Sequence, residues 1–142
     1  MKQALIGAAL LLAAGVGGIQ GCATSQPEPK YRFVIQVSED DPKAWNLALN
    51  NAENPAELVG KENVRVEIVA YGPGLKMLKS GSAVADRLNA ALDRNVDLAA
   101  CGVTMKKMKL TQADLIGGAR VVSGGLIEIA DRQMQGWSYI RP

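Results

Sequence analysis

The chain has 142 residues, of which 16 are Lys or Arg, 14 are Asp or Glu, two are cysteine and none is histidine. This length predicts one domain with an ordinary core. The formal net charge of +2 excludes a strong nucleic-acid-binding surface, which needs clustered basic residues. The absence of histidine excludes Ser-His-Asp and Cys-His catalysis and every zinc site with an imidazole ligand, so we expect neither a metal nor a cofactor.

The first 21 residues have the pattern of a secretory signal peptide. Lys2 is followed by Ala4–Val16, an unbroken run of small and apolar residues that is too short to span a bilayer. The segment Ile19–Cys22 (IQGC) then resembles the lipobox of bacterial lipoproteins, which implies cleavage before Cys22 and lipidation of that residue. The alternative is an uncleaved signal anchor with an incidental cysteine.

Residues 22–30 are predicted to form a lipidated tether. Residues 23–30 are polar, contain two prolines and show no periodicity, and eight residues reach at most about 28 Å. Several acyl chains give stable anchoring, so we expect an extracytoplasmic protein held at a membrane. Because Ala23 stands where lipoproteins retained in the inner membrane tend to have aspartate, we expect the periplasmic face of the outer membrane in a Gram-negative cell.

Residues 31–142 alternate predicted strands with predicted helices and contain no repeat. The alternation predicts a single three-layer α/β/α domain around a mainly parallel sheet of about five strands. The predicted strands are Tyr31–Val37, Val64–Tyr71, Val96–Cys101, Ala119–Ser123 and Trp137–Ile140.

The predicted helices carry apolar residues at helical spacing. Pro55 is predicted to break or restart the first helix, and Gly60 to end it. Thr104 can cap a basic turn, and Thr111 and Asp114 have the spacing of a capping box. The positions predicted to be buried are Trp45, Ala48, Leu49 and Ala52 in the first helix, Val84, Leu88, Ala91 and Leu92 in the second, and Ile127, Ala130 and Met134 in the last.

The carboxyl ends of the predicted strands are expected to meet at one edge of the sheet, where open α/β sheets have their sites. This edge would bring together Ser38, the turn Gly72–Gly74 (GPG), Cys101–Gly102 and Ser123. The turn can present amides to an anion at the following helix start. It lacks the third glycine of a dinucleotide-binding loop, however, and an ordinary strand-to-helix turn is the alternative.

Cys101 is the candidate reactive residue. It ends a predicted strand and precedes Gly102 and a predicted helix start that carries Lys106. Amides at a helix start and nearby ammonium groups favour a thiolate, so we predict a lowered pKa for this thiol. The alternative is a buried and inert thiol, because cysteine is among the most buried residue types and the preceding alanines suggest tight packing.

Four segments of the chain resemble the signature blocks of the DsrE/DsrF-like family of sulfur-relay and related proteins. The segments are WNLALNNAEN (45–54), VEIVAYGPGLKML (66–78), AACGVTMKKM (99–108) and QMQGWSYIRP (133–142). The resemblance implies an α/β/α domain that assembles into homo-oligomers, commonly trimers or hexamers. In relay members a cysteine in this region carries persulfide sulfur between partners, and Cys101 is the matching position.

Besides small-ligand binding at the strand-tip edge around Gly72–Gly74, two functions remain open from the sequence. The first is a lipid-anchored, sulfurtransferase-like carrier in which Cys101 accepts persulfide sulfur from a donor and passes it to an acceptor thiol. The second is a non-catalytic oligomeric binding or scaffold lipoprotein with a structural Cys101. The residues predicted to line the site are Gly72, Gly74, Gly102, Thr104 and Lys106.

Overall fold

Residues 28–142 are described by a computed structural model of the chain. The predicted signal peptide (1–21) and the predicted lipidation site Cys22 lie outside the described residues. Within residues 28–142, no helix combines the length and the apolar character needed to cross a membrane.

Strands and helices alternate along the described residues, as the sequence predicts. The strands are β1 Tyr31–Val37, β2 Val64–Ala70, β3 Asp97–Cys101, β4 Arg120–Val122 and β5 Ser138–Ile140. The helices are α1 Pro42–Val59, α2 Ala85–Asp93, α3 Gly102–Met108 and α4 Gly125–Met134, with short 3-10 segments at Lys61–Asn63, Gly72–Leu78 and Gln112–Asp114. Every predicted strand is confirmed, with each end within one residue of its predicted position.

The five strands form one sheet in the order β4-β3-β2-β1-β5, and every pairing is parallel. Val37 pairs with Ala70, and Ala70 pairs with Ala100. The carboxyl ends of the strands therefore lie along the same edge of the sheet. This arrangement confirms the predicted α/β class with a parallel sheet.

One face of the sheet packs against α1 and α2 through a large apolar core. Ile35, Ile68 and Leu98 project from three adjacent strands into this core and are fully buried. All four residues predicted for the inner side of α1 are buried, as are Val84, Leu88 and Ala91 around α2. Burying such side chains is worth about 1.5–3 kcal/mol each for the larger ones, so this face is the main source of hydrophobic stability.

The other face of the sheet packs against α4, and here the predicted burial pattern is wrong. Ile127 and Met134 are 61% and 80% exposed, and Ala130 is exposed as well. The side of α4 that faces the sheet carries Gly125, Glu128, Ile129 and Arg132, which share one helical face. This side is partly polar because the sheet presents a buried carboxylate to it.

That carboxylate is Glu67 of β2, which is fully buried. Its side chain pairs with Arg120 of β4 at 2.7 Å and with Arg132 of α4. Both arginines also pair with Glu128 of α4, at 2.8 and 3.1 Å. Burial raises the pKa of Glu67 to about 7, despite the opposing attraction of the two arginines.

The prediction that Pro55 interrupts the first helix is also wrong. Helix α1 continues through Pro55 to Val59 and ends at Gly60, whose φ is +88° and whose N–H bonds the Ala56 carbonyl. Proline lacks the N–H that would bond the Asn51 carbonyl, but it has a helical φ. The first part of the helix is held to the sheet by the buried side chains of Trp45, Ala48, Leu49 and Ala52.

Candidate functional site

Cys101 is the last residue of β3, at the carboxyl edge of the sheet. It pairs with Val122 of β4, and its side chain points to the α4 face, as those of Ala99 and Val122 do. The residue is also the N-cap of α3. The thiol therefore lies between the amino-terminal turns of α3 and α4.

Hydrogen-bond donors surround the sulfur. Burial raises the pKa of the Cys101 thiol, but donation by the Thr104 hydroxyl and by the backbone N–H groups of Gly125, Thr104 and Val103 lowers it more. The net pKa of the thiol lies below its ordinary value, as the sequence predicts. These donors come from both helices, so the tertiary fold as well as the local sequence stabilises the thiolate.

The expected contribution of nearby lysines is not among the main causes of the lowered pKa of Cys101. Lys106 and Lys107 are exposed in the last turn of α3, where their positive charges interact favourably with the negative carboxyl end of the helix dipole. The groups that lower the pKa most are hydroxyl and amide donors. Lys106 lies in the last turn of α3, whereas Cys101 is the N-cap at the other end of that helix.

The Gly72–Gly74 turn reaches the site through Thr104. The Gly72 N–H donates to Thr104 Oγ1 at 3.0 Å, which joins two segments 32 residues apart in the chain. A hydroxyl oxygen that accepts this bond still has one proton to donate. Thr104 thus links the turn to the sulfur, instead of capping a later helical turn.

The Gly74 amide of this turn is also hydrogen-bonded within the chain. The Gly74 N–H donates to the Ser38 carbonyl at 3.1 Å, and a Cβ on Gly74 would collide with the Val37 carbonyl. Gly72 has a φ of +52°, which favours glycine. With both glycine N–H groups engaged and Pro73 lacking one, the observed geometry matches the interpretation as a strand-to-helix turn.

Two further glycines allow backbone segments to approach at the thiol. A Cβ on Gly102 would lie 2.8 Å from the Val122 carbonyl oxygen, and a Cβ on Gly125 would lie 3.0 Å from Cβ of Tyr71. Because neither glycine has a side chain, α3 and α4 can begin close to the strand ends. Ser38, the turn, Cys101 and the β4 end are thus brought to one edge, as predicted.

Tyr71 is a site neighbour that sequence reasoning did not single out. It follows β2 and packs on Gly125, whose N–H donates to the sulfur. Burial and the nearby Tyr139 raise the pKa of Tyr71, which stays a neutral phenol. The sequence signal for this role was the position of Tyr71 directly before the Gly72–Gly74 turn. The structure ends β2 at Ala70, one residue earlier than predicted, so Tyr71 belongs to the site edge.

The described residues provide thiol chemistry and no metal site. No group of three or more Cys, Asp or Glu side chains between residues 28 and 142 is arranged to hold a metal ion. Cys101 is the free cysteine among these residues and is 5% exposed. The site is therefore a stabilised thiol near the surface, with backbone amides on two sides.

A family model described as the DsrE/DsrF-like family matches residues 30–142. The chain belongs to this family. The match spans the whole α/β domain, from the first strand to the last residue. Two of the segments that resemble the family meet at one site, where they contribute the Gly72–Gly74 turn, Cys101 and Thr104.

Several solved structures share the fold of this chain. A protein of unknown function from Methanobacterium thermoautotrophicum is 35% identical with a TM-score of 0.75, covering 79% of this chain and 99% of that chain. A conserved protein of unknown function from Bacteroides thetaiotaomicron is 14% identical (TM-score 0.62, 78% and 94% covered). The ychN protein of E. coli is 17% identical (TM-score 0.59, 80% and 99% covered). Among curated proteins, none matches this chain.

Proposed function

We propose that this DsrE-like protein is a lipid-anchored, extracytoplasmic sulfur carrier in which Cys101 holds sulfur as a persulfide. The family is linked in general to sulfur relay, and residues 30–142 belong to it. The observation that carries the proposal is the position of Cys101 at the end of β3 and at the N-cap of α3, where hydroxyl and amide donors from two helices lower the pKa of its thiol. A thiolate is the form that attacks sulfur.

The proposed transfer consists of two thiolate attacks and is balanced without an external oxidant. The Cys101 thiolate attacks the outer sulfur of a persulfide donor, the donor S–S bond breaks, and the donor leaves as a thiolate. An acceptor thiolate then attacks the outer sulfur of the Cys101 persulfide, and the electron pair of the broken S–S bond returns to Cys101. The surrounding donors stabilise that returning charge.

The low exposure of Cys101 favours a site that is completed by another copy of the chain. Val103 in the first turn of α3 and Leu126 and Ile127 in the first turn of α4 are exposed apolar residues beside the thiol. Such a cluster is suited to a subunit contact. We therefore propose a homo-oligomer, a trimer or hexamer, with this surface at the contact. Sedimentation that gives only monomers would contradict it.

The sulfur-carrier role is tested by intact mass. Protein isolated from its native host without reductant is expected to carry an added sulfur atom on Cys101, and Cys101→Ser should lose it. Protein incubated with polysulfide should gain the same mass and transfer it to an acceptor thiol. An unmodified Cys101 after both treatments, with a thiol that iodoacetamide reaches only in denaturant, would exclude the role.

The membrane location rests on Cys22 and is tested separately. The lipobox-like segment Ile19–Cys22 supports cleavage and acylation at Cys22. Intact mass of native protein should then show a chain that begins at an acylated Cys22. An unprocessed chain from Met1 would contradict both anchoring and the assignment of residues 1–21 as a signal peptide.

A second function, an oligomeric binding or scaffold lipoprotein with a structural Cys101, is favoured by the burial of the thiol. Only 5% of Cys101 is exposed, and the residue pairs with Val122 of β4 inside the sheet. In that case Cys101→Ala would keep every measurable activity of the protein. The alkylation experiment distinguishes the two functions.

A further inference from the structure

The direction of the strands determines how an anchored domain would face its membrane. The tether ends at Lys30, and β1 begins at Tyr31. Because all strand pairings are parallel, the amino ends of the strands lie on the tether side of the domain. The carboxyl edge, with Cys101, lies on the opposite side.

The height of Cys101 above the tether follows from the register. Tyr31 to Val37 is six steps along β1, and Val37, Ala70 and Ala100 are at one level. Cys101 is one step further, so it lies roughly 23 Å beyond the level of Tyr31, at about 3.3 Å per residue. This separation keeps the thiol clear of the surface to which the tether leads.

An apolar groove of about 500 Å³ lies on the tether side of the domain. We call it the tether-side groove; it runs between the second half of α1 and the neighbouring strands β1 and β5. Leu58, at its rim, is 83% exposed, although leucine gains free energy when it leaves water. Its apolar lining is formed by Tyr31, Phe33, Pro55, Leu58, Val59 and Ile140.

The charges near the groove are mixed. Lys30 lies over the Tyr31 ring at 5.2 Å, and Lys61 is exposed beyond the end of α1. Glu57 and Glu62 are exposed on the same side. Because both signs are present, a surface that covers the groove would be held by apolar contact more than by attraction to one charge.

We propose that the tether-side groove docks on the lipid surface to which Cys22 is anchored, so that Cys101 faces away from the membrane. The inference rests on the proposed anchoring. A tether of eight residues holds Tyr31 within about 28 Å of the lipidated residue. Such a tether raises the effective concentration of the groove at the surface.

The residues at the groove suit a lipid–water boundary. Tyrosine is enriched at membrane interfaces, and an exposed leucine such as Leu58 can enter the acyl boundary. Lys30 and Lys61 have stems long enough to keep their charges in water. In this orientation the thiol edge is open to soluble donors and acceptors.

The test couples the chain 22–142, carrying Cys101→Ser, through Cys22 to a maleimide lipid in phosphatidylcholine vesicles. The readout is hydrogen exchange at the end of α1, residues 56–60, compared with the uncoupled protein. We expect exchange there to slow about tenfold, the effect of burying one leucine. Exchange in α4 should not change.

Two glutamate substitutions on the same helix make the test specific. Leu58→Glu should abolish the protection, because it places a charge at the rim of the groove. Leu47→Glu is the matched control; Leu47 is also exposed on α1 but lies about 16 Å further along the helix. It should leave the protection intact, and both variants should keep the wild-type circular dichroism.

Several results would overturn the docking proposal. Equal exchange with and without vesicles excludes docking, and equal loss in both variants places the contact elsewhere. Protection already present in solution, removed by Leu58→Glu together with a change from oligomer to monomer, would make the groove an interface between copies. Because the anchor is supplied chemically, an unacylated Cys22 in native protein would defeat the proposed anchoring without changing this measurement.

Discussion

One face of the sheet is covered by α1 and α2 through aliphatic side chains, whereas the other is covered by α4 through a small apolar cluster and an ion-pair network. Apolar spacing correctly located the buried residues of α1. The same reasoning selected Ile127 and Met134 in α4, and both are exposed. The comparison teaches that apolar periodicity finds the inner side of a helix only where the opposing surface is itself apolar.

The largest expected effect is on the apolar face. Leu88→Ala removes a fully buried side chain between α2 and the sheet and should lower the free energy of unfolding by about 2–5 kcal/mol. Urea unfolding followed by circular dichroism measures it. Met134→Ala, at an exposed methionine in the last turn of α4, is the control and should change stability by less than about 0.5 kcal/mol. An equal decrease in the free energy of unfolding for both variants would contradict the difference between the two faces.

The face of the sheet that packs against α4 should lose stability when one charge of its ion-pair network is removed. Arg132→Met leaves the buried Glu67 with Arg120 as its remaining charged partner and should lower the free energy of unfolding by about 1–3 kcal/mol. Arg65→Met, at an exposed arginine of the same strand as Glu67, is the control and should have little effect. If Arg132→Met is neutral, the network does not hold α4 to the sheet.

The same face should give stability a distinctive pH dependence. Since the pKa of Glu67 is raised from an ordinary 4.5 to about 7, the folded state binds more protons than the unfolded state between these values. The contribution of this group is therefore present below about pH 4.5 and is lost as the pH rises through about 7. Melting temperatures from pH 4.5 to 8 should show this decline in wild type, and Glu67→Gln should remove it. An unchanged profile in Glu67→Gln would refute the assignment.

The smallest effect concerns the Cys101 thiol at the carboxyl edge of the sheet. Thr104→Val removes the hydroxyl that links Gly72 to Cys101, so the pKa of Cys101 should rise and alkylation at pH 7 should slow roughly tenfold. Thr104→Ser should restore the rate. Thr111→Val, which removes a hydroxyl bonded to Asp114, is the control and should react as wild type does. A rate unaffected by Thr104→Val would show that the hydroxyl does not stabilise the thiolate.

Much of the candidate site could be anticipated from local sequence. Cys101 closes a short strand before a glycine, and this pattern located both its place at the sheet edge and the direction of its pKa shift. The donor from α4 could not be anticipated, because Gly125 is 24 residues away and reaches the sulfur only when α4 crosses the sheet. The bond from Gly72 to Thr104 likewise depends on how β2 and β3 pair.

The sequence by itself determined the number of strands and their positions along the chain, the inner side of α1 and the cysteine at the edge, because these depend on spacing within a few residues. Only the tertiary structure decided the inner side of α4, the buried charge of Glu67, the path of α1 through Pro55 and the Tyr71 contact. Each of these depends on what a distant segment places opposite. Because Glu67 of the sheet is buried, Arg132 of α4 points inward to pair with it, and the local sequence of α4 does not show this.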